Sequence, residues 1–187
     1  MKPWVRHLIV FLATVVVVAG VATPLLLSLS PALILNNAHK AISAGLGSGA
    51  SIPDNTLYTV PDLASPETAH GNKWVLGANQ DGLYTVGYLD LSHGAQILTI
   101  PNMGNRYHNV ELIAPRTGVV IANLKAAGEY EIARAGMSVT QSASGERVIH
   151  APGKQVLVVG RTLVRNPADL RAARALAQQI KVSPVPK

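Results

Sequence analysis

The densest run of side chains able to do chemistry is Arg106-Tyr107-His108-Asn109. In an extended strand, Arg106 and His108 face one way and Tyr107 and Asn109 the other. A polysaccharide lyase needs a base such as Tyr or His to take a proton next to a carboxylate. It also needs Arg, Asn or Gln to stabilise the enolate that develops. Tyr107 with Asn109, or Arg106 with His108, would supply such pieces, joined from other strands by Asp81 or Arg161. The same residues also have a plainer reading. Arg106 pairs with a carboxylate, Asp81 or Asp90, and Tyr107 fills the core.

Two further places invite the same comparison. Asn79, Gln80 and Asp81 precede an apolar run, so they are candidates for a polar cluster at a strand end. Turn chemistry explains them as well, because Asn and Asp side chains bond nearby backbone N–H groups and Gly82 supplies a bend. Arg161 follows a very apolar stretch. A cation there must reach solvent, an acid or a ligand, since an unpaired buried charge is costly. Asn79, Asp81 and Arg161 are therefore the candidate binding residues, and pairing within the fold is the favoured role for Arg161.

No cofactor is implied. There is no phosphate-binding G-x-x-x-x-G-K-[ST], no dinucleotide fingerprint and no G-x-S-x-G, and Ser144-Gly145 reads as a turn. The chain has no cysteine, which excludes disulfides and thiol chemistry. Its histidines, among them His39, His70, His93, His108 and His150, lack ligand spacing, so no metal site is expected. The formal net charge is +6, with Lys2 and Arg6 supplying two of the positive charges. The rest are scattered without aromatic interleaving. Nucleic acid is not an expected partner.

The elements that must position these residues are short. From Lys73 to Arg165, apolar runs alternate with Gly, Pro and Asn turns at a spacing of about ten residues, the pattern of an antiparallel sandwich or barrel. The expected strands are 83–89, 95–100, 107–113, 118–122, 129–133, 137–141, 147–150 and 155–160. The last is apolar almost throughout, as a central strand covered on both faces would be. One amphipathic helix is expected to close the chain. Asn166 caps it, Pro167 takes its first position and Asp169 complements its dipole. Leu170, Ala173, Ala177 and Ile180 form its apolar stripe, and Pro184 stops it.

Ahead of this domain lies a run without formal charge from Leu8 to Ala38. It exceeds the roughly 20 apolar residues that cross a bilayer. Lys2 and Arg6 before it, with no acid beside them, predict a cytoplasmic N-terminus, and Trp4 sits where an interfacial aromatic belongs. A cleaved signal peptide ending at Gly20-Val21-Ala22 is the competing reading. It would leave a mature end as apolar as Pro24-Leu25-Leu26-Leu27, so an uncleaved anchor is preferred. The expected organisation is a tip and transmembrane anchor over 1–40, a Gly/Ser/Pro-rich linker over 41–72 and a β-rich domain over 73–183. Within the linker, Leu57-Tyr58-Thr59-Val60 is strand-like enough to dock on the domain. The expected location is the inner membrane, crossed once, with the domain on the periplasmic or extracytoplasmic side and the lipid bilayer as its first partner.

Several stretches occur together in a familiar order. They are Asn79-Gln80-Asp81-Gly82-Leu83-Tyr84, Leu89-Asp90-Leu91, Leu98-Thr99-Ile100-Pro101, Arg106-Tyr107, Gly128-Glu129-Tyr130 and Gly160-Arg161. The last precedes Asn166-Pro167-Ala168-Asp169-Leu170. Over Gly71 to Ile180 the chain resembles the domain of unknown function 1254. It departs from that pattern at Gly82, where Thr is usual, and at Val158. The resemblance implies a β-rich bacterial domain that often precedes a second one, the domain of unknown function 1214. A separate membrane-anchored protein carrying that second domain is accordingly an expected partner. The expected role is a binding or partner-assembly module. The alternative is a carbohydrate-active, lyase-like enzyme that uses the Arg106–Asn109 cluster.

Overall fold

The computed structural model describes residues 36–37, 39–44, 51–63, 81–137 and 147–186. The apolar run 8–35, Asn79 and Gln80, His70, Ser144-Gly145 and the expected strand beyond Met137 lie outside them. Among the described residues, no helix is long and apolar enough to cross a membrane.

The described chain is mainly β, arranged as two sheets. Strands β1 (Tyr58–Thr59), β2 (Gly82–Asp90), β8 (Gln155–Leu163), β4 (His108–Ile113) and β5 (Val120–Leu124) form the first, in that spatial order and antiparallel throughout. The second has the order β7 (Arg147–Ala151), β6 (Gly128–Arg134), β3 (Gln96–Ile100), β9 (Lys181–Pro184). Its β6–β7 pair is parallel, which departs from the all-antiparallel expectation. A parallel neighbour requires a long return of the chain, and strand patterning alone does not reveal one.

The two sheets share one core. Leu89, Val110, Leu112, Val156 and Val158 from the first sheet meet Leu98, Ile100, Tyr130 and Ile132 from the second. Each fully buried aliphatic side chain of this kind stabilises the fold by about 1.5–3 kcal/mol relative to exposure. Strand β8 lies at the centre of its sheet and alternates faces. Val156 and Val158 enter the shared core, while Leu157 and Val159 join a second cluster with Tyr88, Ile42 and Ile52. Coverage of both faces is as its composition predicts. Ile42 from helical residues 39–43 and Ile52 from the segment that follows supply the second cover.

The expected linker therefore contributes to the domain before residue 73. Asn55 donates its N–H to Tyr88 O at 2.7 Å, and its side chain exchanges two hydrogen bonds with the backbone of Asp90. It adopts a positive φ of 61°, which Asn tolerates better than most residues. Tyr58-Thr59 then pairs with β2 as β1. Gly87 is where this segment passes closest: a Cβ there would lie 2.3 Å from Thr56 O.

The closing helix is shorter than its pattern predicts. Asn166 caps a single tight turn, Pro167–Asp169, with its side chain accepting from Asp169 N–H. The α-helix proper is Leu170–Ala177. Leu170 and Ala173 pack with Leu83 and Val164 over one end of the first sheet. Ile180 lies beyond the helix and enters the shared core. Lys181–Pro184 then runs as edge strand β9 along β3, where a proline is tolerated because no further strand needs its N–H. Helical spacing up to Ile180 was a coincidence of one residue.

Gly87→Ala is expected to lower stability by about 1–3 kcal/mol, the range for forced overpacking. Denaturant unfolding of the full chain in detergent measures it. An unchanged midpoint would mean that the 51–57 segment does not seat on β2.

Candidate functional site

The run 106–109 enters β4 at the end of the first sheet that faces the closing helix, and its members separate. Arg106 is nearly buried and folds toward that helix. Its Nη1 donates to Asp169 Oδ2 at 2.6 Å and to Leu163 O at 2.6 Å, and Nη2 donates to Asp169 Oδ1 at 2.7 Å. This two-pronged pair has the planar geometry that makes guanidinium–carboxylate contacts strong. The guanidinium hydrogen bonds, helped by the Arg165 N–H, hold the Asp169 carboxyl well below the usual carboxylate range. The same bonds raise Arg106. A structural ion pair was a correct expectation for Arg106, but its acid is Asp169 rather than Asp81 or Asp90. The partner lies 63 residues away and was assigned to the helix dipole, so local reasoning passed over it.

Tyr107 is 58 % exposed, not a core residue. Its carbonyl accepts from Leu163 N–H at 3.0 Å, which extends the β4–β8 ladder by one step. His108 turns its Nδ1 to Arg106 O at 3.1 Å. It stands opposite Thr162, on the face that carries Val110 and Leu112 into the core. Asn109 takes the other face and is buried. The alternation expected for this run is therefore present, and it separates the imidazole from the amide by the thickness of a sheet.

Register brings Asn109 together with a second candidate. Arg161 sits directly across from Asn109 on β4 and from Tyr84 on β2. Its guanidinium carbon lies 5.7 Å from the Tyr84 ring centroid, a cation–π distance. Asn109 Nδ2 donates to Glu111 Oε1 at 3.2 Å, and Asn123 Nδ2 donates to the same oxygen at 3.3 Å. Tyr84, Arg161, Asn109, Glu111 and Asn123 thus form one polar row across the outer face of the first sheet. Asn109 Oδ1 is buried and has no hydrogen-bond partner, a costly state for an acceptor.

Nothing local in the sequence groups Tyr84, Glu111 and Asn123 with the candidates. Strand alternation could have placed Glu111 beside Asn109, but the β2–β8–β4 order was needed for the rest. Asp81 is exposed at the start of β2, where its carbonyl accepts from Val164 N–H at 2.7 Å. It does not join the row by any described contact. Asn79 lies outside the described residues. Among the described residues, no three His, Asp or Glu side chains come together in a way that could hold a metal ion.

The family model described as protein of unknown function (DUF1254) matches residues 55–184. The chain belongs to this family. The match opens at Asn55, where the chain docks on β2, and closes at Pro184, the end of β9. A similar solved structure is the crystal structure of the VPA0106 protein from Vibrio parahaemolyticus, a structural-genomics target. It has a TM-score of 0.60 and 18% identity, and the likeness covers 86% of this chain and 41% of that one. It shows a shared fold, and this chain spans about two fifths of that protein's length. No curated protein matches the chain.

The Arg106–Asp169 pair generates a pH prediction. A carboxylate held low by its partner contributes stability in full above its unfolded value of about 4, and loses it as pH falls toward the folded value. Asp169→Asn is expected to lower the thermal midpoint at neutral pH and to flatten the decline between about pH 4 and pH 2. Melting curves across that window, against the parent chain, check both effects.

Proposed function

We propose that the chain is an envelope module, tethered to the inner membrane, that binds a partner protein through the outer-face row Tyr84–Arg161–Asn109–Glu111–Asn123. The observation that carries this reading is the row itself. It gathers an aromatic ring, a guanidinium, two amides and a carboxylate on one face of the sheet. Such groups recognise a surface by hydrogen bonding and stacking, and Tyr and Arg are the usual anchors of protein interfaces. The partner we favour carries the domain of unknown function 1214. Support comes from the family resemblance, in which that domain often follows this one.

The lyase-like alternative keeps one specific observation. Ladder alternation sets Tyr107 on the same face as Asn109 and Arg161, so a phenol, an amide and a guanidinium share one side of the sheet. Against it, the other base of the run, His108, is on the opposite face. No described hydrogen bond activates the Tyr107 hydroxyl.

Capture of the full chain from solubilised membranes is expected to recover a protein bearing the second domain. Arg161→Ala should weaken that capture by about tenfold, the effect of losing one interface anchor. Arg165→Ala, whose side chain bonds Asn105 at 2.6 Å, should leave it unchanged. Recovery of the isolated chain alone would count against the module reading. The alternative predicts unsaturated product absorbance from uronic-acid polymers, abolished by Tyr107→Phe. Absence of that signal, with the chain alone and with its partner, would remove the alternative.

A further inference from the structure

The segment that follows the apolar run is fastened to the sandwich almost at once. Ile42 and Ile52 are each 6% exposed and pack on Tyr88 and Leu157 of the first sheet. Ile52 N–H donates to Ser43 O at 3.1 Å, which ties the segment that starts at Ser51 to the end of helical residues 39–43. His39 Nε2 lies 2.9 Å from Asp54 Oδ1, and its ring centroid is 4.2 Å from that of Tyr88. Burial, with Asp54 adding to it, pushes the Tyr88 phenol up to about 12, so it stays protonated and uncharged in this contact.

Chain length then limits where the sandwich can be. The apolar run ends at Leu35, and His39 is already docked. Four residue steps span at most about 14 Å when fully extended. The headgroup layer of one leaflet is itself about 5–8 Å thick. An anchor whose span reaches Leu35 therefore holds the domain within about 14 Å of the hydrocarbon edge.

Register identifies the end that is brought near. Asn55 bonds Tyr88 and Asp90 at the far end of β2. Asp90 stands opposite Gln155 at the start of β8, and Ile113 opposite Leu157. The turns 91–95, 114–119, 135–136 and 152–154 therefore gather at this end, opposite the Arg106–Asp169 pair. Lys40, Arg116, Arg134 and Lys154 are exposed there. The acids described at this end are Asp54, held by His39, and Asp90, held by the Ser92 N–H at 2.9 Å. Val119 and Val120 are 59% and 49% exposed at the tip of the β4–β5 turn. That turn is fixed by hydrogen bonds from Gly118 N–H to Ala114 O and from Ala114 N–H to Val119 O.

We infer that this end of the sandwich rests directly on the bilayer, with Lys40, Arg116, Arg134 and Lys154 against anionic lipid phosphates and Val119 in the interfacial layer. Cations near an anionic surface and an apolar tip entering it are the two ingredients of surface docking. The inference rests on the anchor reading of the apolar run. It adds an orientation: the polar row, which begins near Tyr107, is turned away from the membrane toward whatever it binds.

The chain has no native cysteine, so single probes can be placed at will. Val119→Cys and, as a second site in the same turn, Thr117→Cys report the proposed contact. Tyr107→Cys reports the far end. The full chain, labelled with a fluorophore, is reconstituted in phosphatidylglycerol–phosphatidylcholine vesicles whose headgroups carry a nitroxide quencher. Strong quenching at 117 and 119, little at 107, and weakened quenching at 119 after Arg116→Glu with Lys154→Glu are expected. Equal quenching at both ends overturns the docked orientation while leaving the anchor intact. Quenching at 119 that ignores the two charge reversals overturns the role of the cations. Alkaline carbonate extraction of cell membranes tests the anchor separately, and release of the chain overturns both readings together.

Discussion

The first half of strand β8, Val156–Val159, must be dry on both faces, and much of the described fold follows from that requirement. Val156 and Val158 on one side need the second sheet, and Leu157 and Val159 on the other need a second cover. Among the described residues, no second layer of strands supplies the latter. The chain uses residues just after its apolar run, so the segment that reads as a spacer is recruited into packing. A strand this apolar is an aggregation hazard at a sheet edge, and its central position removes the hazard by pairing both of its edges.

Polar groups on this scaffold are sorted by the same alternation. Of the residues facing inward at the end of β4 and β8 that faces the closing helix, Thr162 is fully buried and His108 is partly buried with its Nδ1 on Arg106 O. Residues facing outward at that end gather around Arg161. The Arg106–Asp169 pair then fastens the turn before β4 to the start of the helix, so the mouth of the outer-face row has a fixed border. The ion pair thereby acts through position; the recognition surface lies next to it and on the other side of the sheet.

Much of this was legible in the sequence wherever a feature was local. Turn residues and alternation located β2, β3, β4, β6, β7 and β8 to within a few residues, and the near-continuous apolar run marked β8 as central. Strand β5 sits two residues later than its apolar run implies, because the Ala114–Val119 turn consumes Gly118 and Val119. Features that depend on distant pairing were not legible. Lys181–Pro184 is too short and too polar to declare itself a strand without β3 beside it. The parallel β7, the acid that Arg106 selects, and the row that unites Tyr84, Arg161 and Asn109 all depend on strand order. Within the candidate run itself, alternation correctly separated His108 from Asn109, but only the register with β8 shows that Arg161 completes the outer row.

The strand at the middle of the first sheet is synthesised after both of its neighbours. Until Gln155–Leu163 emerges, β2 and β4 share no hydrogen bonds with each other, because β8 lies between them. One edge of β2 and the edge of β4 that β5 does not fill must therefore wait for a late partner. Assembly of this domain is consequently slow by topology, and its vulnerable moment is the interval before β8 arrives, when a holding chaperone would have most to protect.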